Sequence, residues 1–305
     1  MDTVTIALDW AVNANHSGLF SAISQGYMAD EQINAVVIPP RREQFVTQVL
    51  VSGEADFAFA FAGTAAIERS AGTKLKSVAA VLPKHNSSLA ALKSSGITRP
   101  ADLQNKRYAG FGHNVFEETV IAAMIHNDGI KTPKIKFSLV RFASFDVLRS
   151  DEADFLWIYD GIEGAEAMSD DRDIILFAPN DYGVPNYYAP NLICREDFLE
   201  NSDNIAKAKR FMRALRRGYL FAANRPEYSL EDILKLAPSA GGKLYNNIDA
   251  ALASQRHVSA HILATSKWGM QDAQVWERFI VFLTENRIIN KPEKADSYFT
   301  NALLE

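Results

Sequence analysis

The chain has 305 residues, of which 48% are hydrophobic and 23% charged, and a formal net charge of −5. That length suits one large domain or two smaller ones, with a core that needs no disulfide or metal. The mild negative charge excludes the footprint of a nucleic-acid binder, and no run of about 18 apolar residues could span a bilayer. The single cysteine, Cys194, can close no internal disulfide and lacks partners for a zinc site.

In chain order, "TVTIAL" (3–8) is β-branched and reads as a strand, and "SGLFSAISQGYMADE" (17–31) has helical spacing with Gly26 near its end. A strand at 33–39, a helix at 42–55 closing at Gly53, a strand at 56–62, a helix from Thr64 to about Gly72 and strands at 75–82 and 88–95 follow. This alternation predicts a mostly parallel, covered sheet. A fresh start comes at "SSGITRPADLQNKRYAGFG" (94–112), where Pro100 suits a first helical turn. A helix over 116–127, strands at 134–140 and 153–160, a helix near 161–168 and a strand at 173–179 complete a second β/α unit. After "YYAPNLICRE" (187–196) the pattern is almost wholly helical, and these helices are expected to pack back on the first half. The expected domains are therefore residues 1–97 with 188–305, and residues 98–187, joined by two crossing segments with a ligand cleft between them. The basic run "KAKRFMRALRR" (207–217) reads as the solvated face of an amphipathic helix, with a partner-docking surface as the alternative.

Five polar and aromatic clusters fall just after predicted strand ends, where open α/β sheets place ligands. They are Asp9-Trp10 with Asn13, Asn15 and His16; "KHNSS" (84–88); "GFGHNVFEE" (110–118); "WIYDGIE" (157–163); and "DYGVPNYYAPN" (181–191). Trp10, Phe116, Trp157, Tyr159, Tyr187 and Tyr188 offer stacking faces. Asn13, Asn15, Asn86, Asn114 and Asn186 offer donors and acceptors together, and Glu117 and Glu163 could accept from an amino group or a protonated ring nitrogen. Each has a plainer reading beside it. Trp10 and Trp157 could be core aromatics, Asn13 and Asn15 turn and cap residues, and His16 a helix-start residue bonded to backbone. Of Glu117 and Glu118, one could serve only the helix dipole, and Tyr187 and Tyr188, if extended, point to opposite faces.

Signals for catalysis are weaker. "GFGHNVFEE" lacks the third glycine of a dinucleotide fingerprint, and there is no Walker motif or nucleophile elbow. His257 and His261 share a helical spacing without a third ligand nearby, so no metal and no cofactor are expected.

"LDWAVNANHSGLF" resembles the opening segment of the pyrimidine-binding proteins of bacterial thiamine-precursor uptake, which are substrate-binding subunits of ABC transporters. "VSGEADFAFAFAGT", "LPKHNSS", "SSGITRPADLQNKRYAGFG", "FEE", "LWIYDGIE" and "YGVPNYYAP" resemble later segments of that family in the same order, over roughly residues 3 to 225. The resemblance implies a bilobal type 2 periplasmic-binding-protein fold without chemistry of its own. Its ligand would be a formylaminopyrimidine or hydroxymethylpyrimidine. Trp10 and one of Tyr187 and Tyr188 would sandwich the ring, and Asn13, Asn15, His16, Asn86, Glu117 and Glu163 would address its polar edge. It further implies a monomer that meets an ABC permease by hinge closure at the crossings. The expected location is the periplasm, or the extracellular face by a lipid anchor, with an export leader that this chain does not carry. The alternatives are a hydroxymethylpyrimidine-phosphate synthase-like enzyme of thiamine biosynthesis, a receptor for riboflavin or a sulfonate, and a sensing module of a larger regulator. A cysteine-rich run of the fungal-type synthase stands where this chain has "NYYAPNLIC", and the lysine that holds pyridoxal phosphate there has no match here. Ala11-Val12 departs from the uptake family, where an aromatic or polar residue and a proline are common.

Overall fold

The computed structural model describes residues 1–41, 44–110, 114–138, 145–165, 167, 173–237, 247–265 and 267–304. The chain divides into two units. Unit 1 comprises Met1–His85, Tyr187–Ile280 and Ile289–Glu305, and unit 2 comprises Asn86–Asn186 and Val281–Ile288.

Unit 1 is built on a five-stranded sheet of order β2-β1-β3-β10-β4, with β1 Asp2–Ala7, β2 Ile33–Ile38, β3 Phe57–Ala60, β4 Leu75–Ala80 and β10 Asn191–Arg195. β1 runs parallel to β2 and β3, whereas β10 enters antiparallel between β3 and β4. The expected mostly parallel sheet is thus a mixed one. The strand that mixes it arrives more than a hundred residues after β4, and local pattern does not carry the direction of a return strand.

The sequence "FAFA" of β3 shows how the two faces are filled. Side chains alternate across a strand. Phe57 and Phe59 join the core formed with Leu19, Phe211, Leu215, Tyr219 and Trp268, while Ala58 and Ala60 join a smaller cluster with Leu50, Ala65 and Ile193. Phe57 stacks on Phe211 at 5.2 Å, and Phe211 lies in the long helix Ser202–Asn224. This helix meets the helix Ser17–Ser24 through two glycines: a Cβ at Gly218 would stand 2.0 Å from the Gly18 carbonyl oxygen, and one at Gly18 would stand 2.2 Å from the Tyr219 ring. The predicted helix 17–31 is two pieces, Ser17–Ser24 and Tyr27–Asp30, because Gly26 takes a left-handed conformation at φ 78°. Four of the six cations of 207–217 face carboxylates of unit 1 itself. Arg210 pairs with Asp2, Arg213 with Glu31 at 2.6 Å, Arg217 with Asp30 at 2.8 Å and Lys207 with Asp56 at 3.5 Å.

Unit 2 carries a sheet of order β7-β6-β8-β5-β9, with β5 Ser87–Leu92, β6 Arg107–Ala109, β7 Lys136–Phe137, β8 Phe155–Tyr159 and β9 Ile174–Phe177. β6 is parallel to β7 and β8, and β5 is antiparallel to β8 and β9. Helix Asn114–Asn127 follows β6, and the helix expected near 161–168 begins as a wide π-type turn over Asp160–Gly164. Among the described residues, no helix is long and apolar enough to cross a membrane.

Candidate functional site

In unit 1 the candidate groups gather at the carboxyl ends of β1, β3 and β4, which is also where β10 begins. The first β-to-α turn is held by its own side chains. Asn13 caps a 3-10 turn, Ala14–His16: its Oδ1 accepts the Asn15 N–H at 2.9 Å, and its Nδ2 donates to the Ala11 carbonyl at 2.9 Å. The Asn13 N–H donates to His16 Nδ1 at 3.2 Å, so the imidazole proton sits on Nε2, which donates to Asp9 Oδ1 at 2.9 Å. The ring is buried edge-on to Phe59, with centroids 4.8 Å apart. Asn13 and His16 therefore spend their polar atoms inside the turn, and the crowding at 9–16 is first of all a self-bonded scaffold. Asn15 differs. Its backbone carbonyl accepts the Tyr219 hydroxyl at 2.7 Å, but its side-chain Oδ1 is buried with no hydrogen-bond partner among the described residues. Trp10 stands out of the turn, 48% exposed.

Tyr187 and Tyr188 go to different neighbours, as alternation predicts. Tyr187 lies between His85 and Phe279, stacked on each with centroids at 4.5 and 4.7 Å and rings 14° and 18° from parallel. Tyr188 leans on Trp276 at 6.2 Å, and its hydroxyl accepts the Asp272 N–H at 2.7 Å. Burial first raises the Tyr188 phenol above its ordinary pKa. Both rings are buried, and both faces of Tyr187 are covered. A sandwich of Tyr187 with a ligand would require His85 or Phe279 to give way.

In unit 2 the candidates collect at the carboxyl ends of β6 and β8, beside the start of β5. Tyr108 in β6 donates its hydroxyl to Glu117 Oε2 at 2.6 Å. Gly110 lets the carboxylate reach this position, since a Cβ there would stand 2.0 Å from Glu117 Oε2. Burial, then the Glu117 charge, pushes the Tyr108 phenol well above its ordinary range. Phe116 and Trp157 approach at 6.3 Å with rings tilted by 45°. The Tyr159 N–H donates to Glu163 Oε2 at 2.9 Å, closing the π-type turn. The Asn86 carbonyl accepts the Asp160 N–H at 2.8 Å, whereas the Asn86 side chain, 3% exposed, has no partner among the described residues for either its Nδ2 or its Oδ1. A buried carboxamide with both ends unmet is costly unless something else bonds it. The structure thus brings Asn86, Glu117, Phe116, Trp157, Tyr159 and Glu163 to one end of this sheet. Residues 111–113 and the side chain of Asn114 lie outside the described residues. Asn186 is half-buried.

The sequence reading assigned Asp9 no contact with a ligand. Its carboxylate is 11% exposed and lies just past the end of β1, with His16 as its hydrogen-bond partner among the described residues. The signal that could have marked it is an acid between an apolar strand and a tryptophan. His257 and His261 stack at 4.5 Å, and the His261 Nδ1–H donates to the His257 carbonyl at 3.0 Å. Cys194 is buried in β10, where desolvation raises its thiol far above the reactive range.

Two mixed α/β sheets, each with polar and aromatic groups at its strands' carboxyl ends, define the periplasmic-binding-protein class of fold. The fold likeness is direct. The ligand-binding component of an ABC-type import system from Staphylococcus aureus superposes with a TM-score of 0.70 at 11% identity, covering 100% of this chain and 98% of that one. The periplasmic aliphatic sulphonate binding protein from Escherichia coli does so with a TM-score of 0.67 at 15% identity, covering 97% and 91%. The chain belongs to the NMT1/THI5-like family, whose profile matches residues 13–229. Its relatives include the formylaminopyrimidine-binding protein of Halalkalibacterium halodurans, 26% identical over 302 residues, or 99% of this chain and 90% of that protein. They also include the 4-amino-5-hydroxymethyl-2-methylpyrimidine phosphate synthase of Legionella pneumophila, 24% identical over 248 residues, or 80% and 77%. The family therefore holds both binding proteins and enzymes.

Proposed function

We propose that this chain is the substrate-binding protein of an ABC importer, and that it captures a thiamine pyrimidine precursor such as formylaminopyrimidine or hydroxymethylpyrimidine. The observation that carries the reading is the Asn86 carboxamide, buried with donor and acceptor both unmet among the described residues. An aminopyrimidine edge places a ring-nitrogen acceptor beside an amino donor, which is the complement of one carboxamide. Glu117 and Glu163 supply acceptors at the same end of the unit 2 sheet as Asn86, and in unit 1 the exposed face of Trp10 suits stacking on an aromatic ring. The similarity to a formylaminopyrimidine-binding protein over nearly the whole chain supports the same class of ligand. The partner would be an ABC permease, and the working location the periplasm or, by a lipid anchor, the outer face of the cell.

A second reading is favoured by the synthase relative: a thiamine-biosynthesis enzyme that acts on a related pyrimidine. Against it stands the single cysteine, buried and unreactive where the fungal-type enzyme carries a cysteine-rich run. Titration calorimetry with formylaminopyrimidine, hydroxymethylpyrimidine, riboflavin, an alkanesulfonate and pyridoxal phosphate separates the readings. A bound aminopyrimidine at 100 times its Kd should add about 2.7 kcal/mol of stability. Binding of riboflavin or sulfonate alone would refute the ligand assignment, and an imine absorbance with pyridoxal phosphate would favour the enzyme.

A further inference from the structure

We propose that Asp9 is the residue that selects for an amino group on the ligand, and that His16 serves as a positioning residue that acts through Asp9. This assignment rests on the receptor reading above. Asp9 lies at the carboxyl end of β1 beside the exposed Trp10, and its side chain is 11% exposed. Among the described residues no lysine or arginine pairs with it; His16 Nε2 is the partner at 2.9 Å. A carboxylate has about four acceptor sites, and one hydrogen bond uses one of them. The remaining sites accept only, so they favour a ligand N–H and repel a carbonyl oxygen.

His16 is fixed from both ends. Nδ1 accepts the Asn13 N–H at 3.2 Å, Nε2 faces Asp9, and Phe59 packs against the ring. The backbone thereby sets the tautomer, and the tautomer makes Nε2 the donor to Asp9. With both nitrogens engaged, the imidazole has no polar atom left for a ligand. The chemistry that would recognise this arrangement is a ring bearing an exocyclic amine, and its 4-oxo counterpart would place an oxygen against the carboxylate.

The test is calorimetry on the full chain with two probes, 4-amino-5-hydroxymethyl-2-methylpyrimidine and its 4-oxo analogue. The wild type should prefer the amino probe by about 10- to 100-fold, the range of one hydrogen bond to a charged group. Asp9→Asn and Asp9→Ser, measured side by side so that one poorly folded variant leaves the result readable, should erase that preference. His16→Gln should shrink the preference while changing affinity for the oxo probe less than threefold, a pattern that general loosening of the fold would not give. If the wild type binds and discriminates but the Asp9 variants keep its preference, this assignment falls and the receptor reading stands. A wild type that binds neither probe removes both.

Discussion

Replacing Tyr108 with Phe removes one oxygen from a buried hydrogen bond. Tyr108 is fully buried, Glu117 is 4% exposed, and their oxygens are 2.6 Å apart. A hydrogen bond to a charged group contributes about 1.5–3 kcal/mol, and a buried acceptor left behind adds its own desolvation cost. Glu117 makes further contacts, so a loss near 2 kcal/mol is expected. At about 2–4 °C per kcal/mol for a domain of this size, that corresponds to a fall of roughly 4–8 °C in Tm. Urea unfolding of wild type, Tyr108→Phe, Glu117→Gln and the double variant gives the coupling directly. The pH course follows from the raised phenol pKa: the contribution is present below the ordinary tyrosine value near 10 and is lost only as pH rises through the higher folded value. A coupling near zero in the cycle would refute the claim that the phenol holds a charged Glu117 at the edge of this sheet.

Further outcomes are open to measurement. Trp10→Ala should leave unfolding free energy within about 0.5 kcal/mol, because the ring is half exposed; aminopyrimidine affinity should fall by the roughly 0.5–1.5 kcal/mol of a stacking contact, and unchanged calorimetry would remove Trp10 from the site. Gly218→Ala should cost about 1–3 kcal/mol in urea unfolding, since its Cβ would meet the Gly18 carbonyl oxygen at 2.0 Å and force the two helices apart. His257, packed on His261, has its pKa pushed down to about 4 by burial, with His261 and Lys84 adding to the shift. The unfolded chain binds that proton first, so this site's stability contribution is present above about 6.5 and is lost as pH falls toward 4. His257→Asn should flatten the urea midpoint between pH 7 and 4.5.

Much of the fold was legible where one strand or helix carries its own periodicity. The β-branched run at 3–8, the alternation of "FAFA" and the amphipathic pattern after 202 each depend on residues a few positions apart. Partners distant in the chain were not legible. Ser87–Leu92 reads as one more strand of the opening run, yet its hydrogen bonds go to Phe155–Tyr159 and Ile174–Phe177 in unit 2. The site was legible as placement, because strand ends and polar-aromatic clusters are both local features. The division of labour within each cluster was not. Nothing in "DWAVNANH" says that Asn13 and His16 bond the turn itself, with Asp9 held on His16, while Trp10 stands out of it, since that depends on which backbone N–H reaches which ring nitrogen. Nor could spacing show that Phe279, far along the chain, covers one face of Tyr187.

The insertion of β10 between β3 and β4 has a consequence for how the protein is made. A ribosome delivers Phe57–Ala60 and Leu75–Ala80 long before Asn191–Arg195, the strand that joins them. While the strands of unit 2 are synthesised, β3 keeps one unpaired edge and β4 has no neighbouring strand in the sheet, and their side chains are largely apolar. Such edges are templates for pairing with another chain. Order of emergence therefore favours completion of the second sheet before the first. During that interval, until residue 195 has left the exit tunnel, the nascent chain is most in need of a holding chaperone.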